Sequence, residues 1–210
     1  ALAFLNPFPG DFIYETRFLN GYLASYLNEL FIIHNRKEHW ITGGLQTYLM
    51  MKYVEAFFPD SKFLGDLYKF KFLGIRPFNS YSAAHIGYNE SFSFIAEFGE
   101  HANNQQEDTL GKESLTKINE SYTISYHVGS GLIYLDQYLE DETLANSIKE
   151  FSMVRGEIAL KEILSKKTNK EIDWFFDTYL TDREAYDLSI KNVLKGRNQI
   201  RLTIGEQNSK

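Results

Sequence analysis

At 210 residues the chain suits one domain, or one domain and part of another, and is long enough to bury a full core. A net charge of −6 with scattered Lys and Arg excludes the basic stripe of a nucleic-acid binder, and no apolar run reaches the roughly 18–20 residues of a membrane span. The lack of cysteine excludes disulfides, thiolate zinc sites and a cysteine nucleophile, while 17 Phe and 14 Tyr favour packing by large rings.

Residues 6–10, NPFPG, read as a Pro/Gly turn. From Glu15 to Ile33 apolar residues recur in adjacent pairs at helical spacing (Phe18/Leu19, Tyr22/Leu23, Tyr26/Leu27, Leu30/Phe31), which predicts a long helix with a broad apolar stripe. HNRKEH is a polar connector. The segment 40–58, WITGGLQTYLMMKYVEAFF, predicts a second helix that is apolar nearly all round and therefore covered on most sides. Gly43-Gly44 stand at its start, although glycine costs about 1 kcal/mol relative to Ala in a helix. The pair implies either a tight backbone turn or a place that no longer needs a side chain. Pro59-Asp60-Ser61 ends the helix.

Residues 61–100 are aromatic-rich and carry short turn signals, and 101–114 read as a polar surface loop. GLIYLDQYLEDETLANSIKEF predicts two helices hinged near Asp141, with Asp141 as N-cap of the second. Thr168-x-x-Glu171 has the form of a capping box opening EIDWFFDTYL. The chain is thus expected to be mainly α to about residue 180. Beyond it the period changes: AYDLSIKNVL and QIRLTI alternate apolar and polar around a KGRN turn, with Ile200, Leu202 and Ile204 on one face. Two strands are marginal alone. The expectation is a helical domain over 1–182 and the beginning of a β-domain over 183–210, the whole being a piece of a longer protein.

The sequence contains no H-E-x-x-H, no G-x-S-x-G, no Walker loop and no G-x-G-x-x-G. Its histidines are His34, His39, His85, His101 and His127. His34 and His39 fall about 140° apart on a helix and share no metal-binding face, so solvated loop histidines are the plainer reading. HVGSGL lacks a preceding strand and is weak as a phosphate loop. Glu140-Asp141-Glu142 reads as a solvated helix junction, and the N-x-S sequons at Asn89 and Asn119 carry little weight.

One resemblance remains. W-I-T-G-G-L-Q-T-Y (40–48) resembles the W-L-N-E-G-F-A-T-Y segment of M1-family zinc aminopeptidases, of the gluzincin group. In that family the Glu of this segment is the third zinc ligand and follows the second His of H-E-x-x-H by 19 residues. Counting back from Gly43 reaches Ala24, so N-G-Y-L-A-S-Y-L (20–27) takes the place of H-E-L-A-H-Q-W-F within the first helix. S-Y-H-V-G-S-G-L-I-Y-L (125–135) is similar to the family's Y-x-K-G segment, with Tyr126 at the tyrosine that stabilises the tetrahedral intermediate and Val128 at the Lys. DWFFDTYL (173–180) followed by strands is similar to the passage from catalytic domain to β-domain.

The fold this implies is mainly α, the helical half of a thermolysin-like M1 catalytic domain. Its chemistry needs two His at i and i+4, a Glu base between them and a carboxylate from the next helix. Here those positions hold Asn20, Ala24, Gly21 and Gly43. The resemblance therefore implies a non-catalytic domain with vestigial positions Asn20, Gly21, Ala24, Gly43 and Tyr126. No zinc cofactor is expected, although active relatives use one. The expected partners are the remaining domains of the full-length protein, and a peptide in the old cleft. One alternative is a metallohydrolase with a relocated metal site at His34, Glu38 and His39. Another is a helical interaction domain unrelated to peptidases.

Overall fold

The computed structural model describes residues 7–34, 36–69, 71, 73–75, 85–101, 106–154, 159–181, 188–196 and 199–206. The expected domain boundary at 182/183, residues 102–105 of the polar loop and half of the KGRN turn lie outside the described residues. The order is α1 (Gly10–Leu30), α2 (His39–Phe57), α3 (Glu90–His101), α4 (Ile124–Leu139), α5 (Thr143–Met153), α6 (Leu160–Lys167), then strands β1 (Leu188–Lys195) and β2 (Ile200–Glu206). Short 3-10 turns lie at Gly65–Lys69 and Lys112–Ser114, and π-helical turns at Asn119–Thr123 and Trp174–Tyr179. The chain is mainly helical, as its periodicity predicts.

The first helix starts at Gly10 rather than Glu15, because Pro9 precedes it as cap and its carbonyl accepts from Ile13 N–H. The added turn carries Phe12 into a ring cluster with Phe8, Phe58 and Tyr88. The helix stops at Leu30, three residues early: Phe31 is extended and turns its ring into the core against Phe151. The paired apolar pattern of α1 divides between two faces. Leu23 and Leu27 are buried, whereas Tyr14, Phe18, Tyr22 and Tyr26 are exposed, the last three stacked in a row at centroid spacings of 6.3 and 5.4 Å.

Helix α2 is buried on most sides as expected, with Ile41, Leu45, Tyr48, Met50, Met51 and Val54 all in the core. Its main neighbour is α4, whose Ile124, Val128, Leu132, Leu135 and Leu139 complete the same cluster. The two helices meet through glycines. A Cβ on Gly44 would fall inside contact with Val128 Cγ1, and one on Gly129 would meet Thr47. Gly131 of the HVGSGL segment receives the ring of Tyr179 in the same way. That segment is therefore mid-helix packing and offers no phosphate loop.

Residues 90–101, at the end of the aromatic-rich stretch, form α3, in keeping with the helical character expected to about residue 180. Two expectations are corrected locally. At the α4–α5 junction the cap position is Glu142, not Asp141, and Glu140, Asp141 and Glu142 all take positive φ (62°, 49° and 56°) with no side-chain cap bond. The reversal is made by left-handed backbone, each such non-glycine residue costing about 1–2 kcal/mol. Thr168 closes α6 rather than opening a helix, and its hydroxyl accepts from Lys170 N–H, so the capping box does not form. Helical structure resumes only after Asp173.

The two strands form an antiparallel ribbon, pairing Ile190 with Ile204 and Val193 with Leu202, with a bulge between Ile190 and Asn192. Ile200, Leu202 and Ile204 are all exposed. Among the described residues no helix is long and apolar enough to cross a membrane.

Candidate functional site

Helical spacing brings one set of residues together between α1, α2 and the start of α4. Thr16, Arg17 and Asn20 share a face of α1, and Gly43, Gln46, Thr47 and Met50 share a face of α2 at i, i+3, i+4 and i+7. Ser121, Tyr122, Ser125 and Tyr126 come from the π-turn and the first turn of α4, while Tyr88 and Phe92 close the side. Together they line a cleft of about 300 Å³. Asn20, Gly43 and Tyr126, separated by more than 100 residues in sequence, thus face one space.

The other two positions reached through the resemblance do not. Gly21 lies on the open side of α1, and a Cβ there would meet nothing within 4 Å. Ala24 is half-buried one turn further along and does not line the cleft.

The residues present do not fit zinc. Asn20 Oδ1 accepts from Gln46 Nε2 at 2.7 Å, and the same amide also donates to Asn20 O at 3.1 Å, so Asn20 ties α1 to α2. Gly21, Ala24 and Gly43 carry no donor atom. A side chain at Gly43 would run into the Ser125 hydroxyl and stand 3.2 Å from Ser125 Cβ. Gly43 lies more than a turn inside α2, so the pair is not a helix entry: it is a place where α4 packs close against α2.

Tyr126 packs edge-on to Phe92 at 4.9 Å and beside Tyr122 at 6.0 Å. Burial raises its pKa above the ordinary phenol value, with Tyr88 and Tyr122 adding to the shift. Burial raises Tyr88 likewise. Both rings therefore stay protonated at neutral pH and present O–H donors.

The connector histidines are separated by environment. His34 is exposed, its Nδ1 accepting from Lys37 N–H at 3.3 Å, while its own N–H donates to the Glu38 carboxylate at 2.8 Å. His39 is the first residue of α2 and is buried, with both ring nitrogens lacking hydrogen-bond partners in the described structure. Burial, and then Lys112, hold its pKa below the ordinary value. Among the described residues no group of three or more His, Asp or Glu is placed to hold a metal ion.

One polar pair was not legible in the sequence. Asp108, within the stretch read as surface loop, is fully buried; its N–H donates to Leu180 O, and its Oδ2 lies 2.6 Å from His127 Nδ1. The His127 ring stacks on Tyr179 at 4.2 Å, and Tyr179 O–H donates to His127 O. No short motif links positions 108, 127 and 179. The pair lies outside the cleft and clamps the loop and the π-turn onto α4. Asn119, of the second sequon, is fully buried, and Asn89 donates to Met51 O, so neither asparagine is free to carry a glycan.

No protein-family model, curated protein or solved structure matches this chain.

Proposed function

We propose that the chain is a non-catalytic relative of M1 zinc aminopeptidases that keeps the cleft and has lost the chemistry, serving as a peptide-binding or bracing module of a larger protein. One observation carries the reading: Asn20, Gly43 and Tyr126, assigned to a single site through the resemblance, line one cleft between α1, α2 and α4. The chemistry of these positions supports the second half. Catalysis would need two imidazoles, a general base and a carboxylate, and the matching side chains are an amide bound to Gln46, a methyl and two glycines.

The test is metal content after incubation with zinc and removal of the excess, alongside an aminopeptidase assay on a fluorogenic amino-acid amide. The expected result is far less than one zinc per chain and no hydrolysis. One tightly held zinc per chain would overturn the reading and direct mutagenesis to His34 and His39.

A further inference from the structure

The geometry points to the cleft as a carboxylate-binding site in which the Arg17 guanidinium pairs with the anion and the hydroxyls of Tyr88, Tyr122, Tyr126, Ser121 and Ser125 supply hydrogen bonds to it. This rests on the reading of the cleft as a binding site for peptides, and gives that site its ligand chemistry.

The lining is one-sided. Of the residues around the cleft one is cationic, Arg17, and none is Asp or Glu. In the described structure Arg17 makes no ion pair, although the chain carries a net charge of −6. None of the five hydroxyls hydrogen-bonds to another protein group there either, whereas the Gln46 amide nitrogen donates to Asn20 O and Oδ1. The cleft thus presents one unpaired cation and five hydroxyls free to donate, with no carboxylate in its lining to compete for them. The buried phenols stay protonated at neutral pH and so remain donors.

A guanidinium presents paired N–H groups that match the two oxygens of a carboxylate, and hydroxyl donors extend that match. Arg17 is exposed, so water screens its pairing, and the half-buried hydroxyls of Tyr88, Ser125 and Tyr126 supplement it. A single cation balances one negative charge, which favours a carboxylate over a phosphate dianion. The aromatic walls, Phe92 and the tyrosine rings, suit an apolar group attached to that carboxylate. Two sources offer this chemistry, the C-terminus of a peptide and an acidic side chain.

Isothermal titration of the full chain with three probes separates the outcomes: N-acetyl-Ala-Phe, its C-terminal amide, and N-acetyl-Asp-Phe-amide. The expected result is binding of the free acid at least about tenfold tighter than its amide, with Arg17→Ala abolishing the difference. Binding of the Asp probe at the strength of the free acid, lost in the same variant, supports the site with a side-chain source. Tyr126→Phe should weaken the acid by a smaller factor and leave the amide unchanged. Arg17 is exposed and unpaired, so its variant should melt with the wild type, which excludes unfolding as the cause. Equal binding of acid and amide, or an Arg17→Ala variant that binds the acid normally, overturns the carboxylate assignment and leaves the peptide-binding reading in place. No binding of any probe at millimolar concentration overturns both.

Discussion

Gly44→Ala places one methyl group where the α2–α4 contact leaves no room. The added Cβ falls inside contact with Val128 Cγ1 and 2.8 Å from Val128 Cβ. Val128 is 0% exposed and β-branched in a helix, so it has one strongly preferred rotamer and little room to move. Two effects oppose each other. Alanine favours helix over glycine by about 1 kcal/mol, while overpacking a filled core costs about 1–3 kcal/mol. The expected net result is a loss of about 1 kcal/mol. Val128→Ala alone removes two buried methyl groups and should cost about 2 kcal/mol in transfer and residual cavity. Val128→Ala takes away the Cγ1 contact and leaves the Cβ at 2.8 Å, so if the clash is the cause the double variant exceeds the sum of the single changes in stability by part of it, about 0.5 kcal/mol or more. Urea unfolding followed by tryptophan fluorescence measures all four proteins at a common m-value. A Gly44→Ala protein that gains the full helix-propensity increment, or a cycle that is additive, would refute the close-contact account.

Two further outcomes follow from the buried polar groups. Burial holds His39 below its ordinary pKa of 6.5, so between the folded and unfolded values the unfolded chain binds more protons. Stability should therefore fall as pH drops through about 6.5 and level off below the folded pKa; His39→Leu should flatten that part of a melting-temperature profile, and an unchanged slope would contradict it. Asp108→Ala removes the carboxylate partner of His127 while keeping the backbone bond to Leu180 O, and should cost about 2 kcal/mol in denaturant unfolding. A cost within experimental error would mean that the pair contributes nothing to holding the π-turn.

The helices were legible because burial imposes a period. Leu23 and Leu27 of α1 and the apolar girth of α2 are each written within one element, and so is the alternation of β1 and β2, although its apolar residues are exposed. The ends were less so. Phe31 left α1 because the core had room for its ring, and nothing local marks that choice. The row Phe18–Tyr22–Tyr26 belongs to the broad apolar stripe that the spacing predicts and yet is exposed, since hydropathy does not separate a ring facing solvent from one facing the core. At the site, only Asn20, Gly43 and Tyr126 were reached, and only through a resemblance. Arg17, Ser121 and Ser125 carry no motif and acquire meaning from the convergence of three helical segments. Asp108 was hidden for a related reason: a charged residue in a polar stretch looks solvated until its partner, nineteen residues on, folds over it.

The closeness of α2 and α4 at Gly43 also orders the substitutions by which this cleft can change. A side chain at 43 meets Ser125 before it meets anything in the cleft, so the two positions are epistatic: Gly43→Ala is tolerated best once the Ser125 hydroxyl has turned away or been removed. Any larger side chain at 43 likewise depends on what stands at 125 and on where its hydroxyl points. The two helices therefore change as a pair at this contact, and neither position drifts alone.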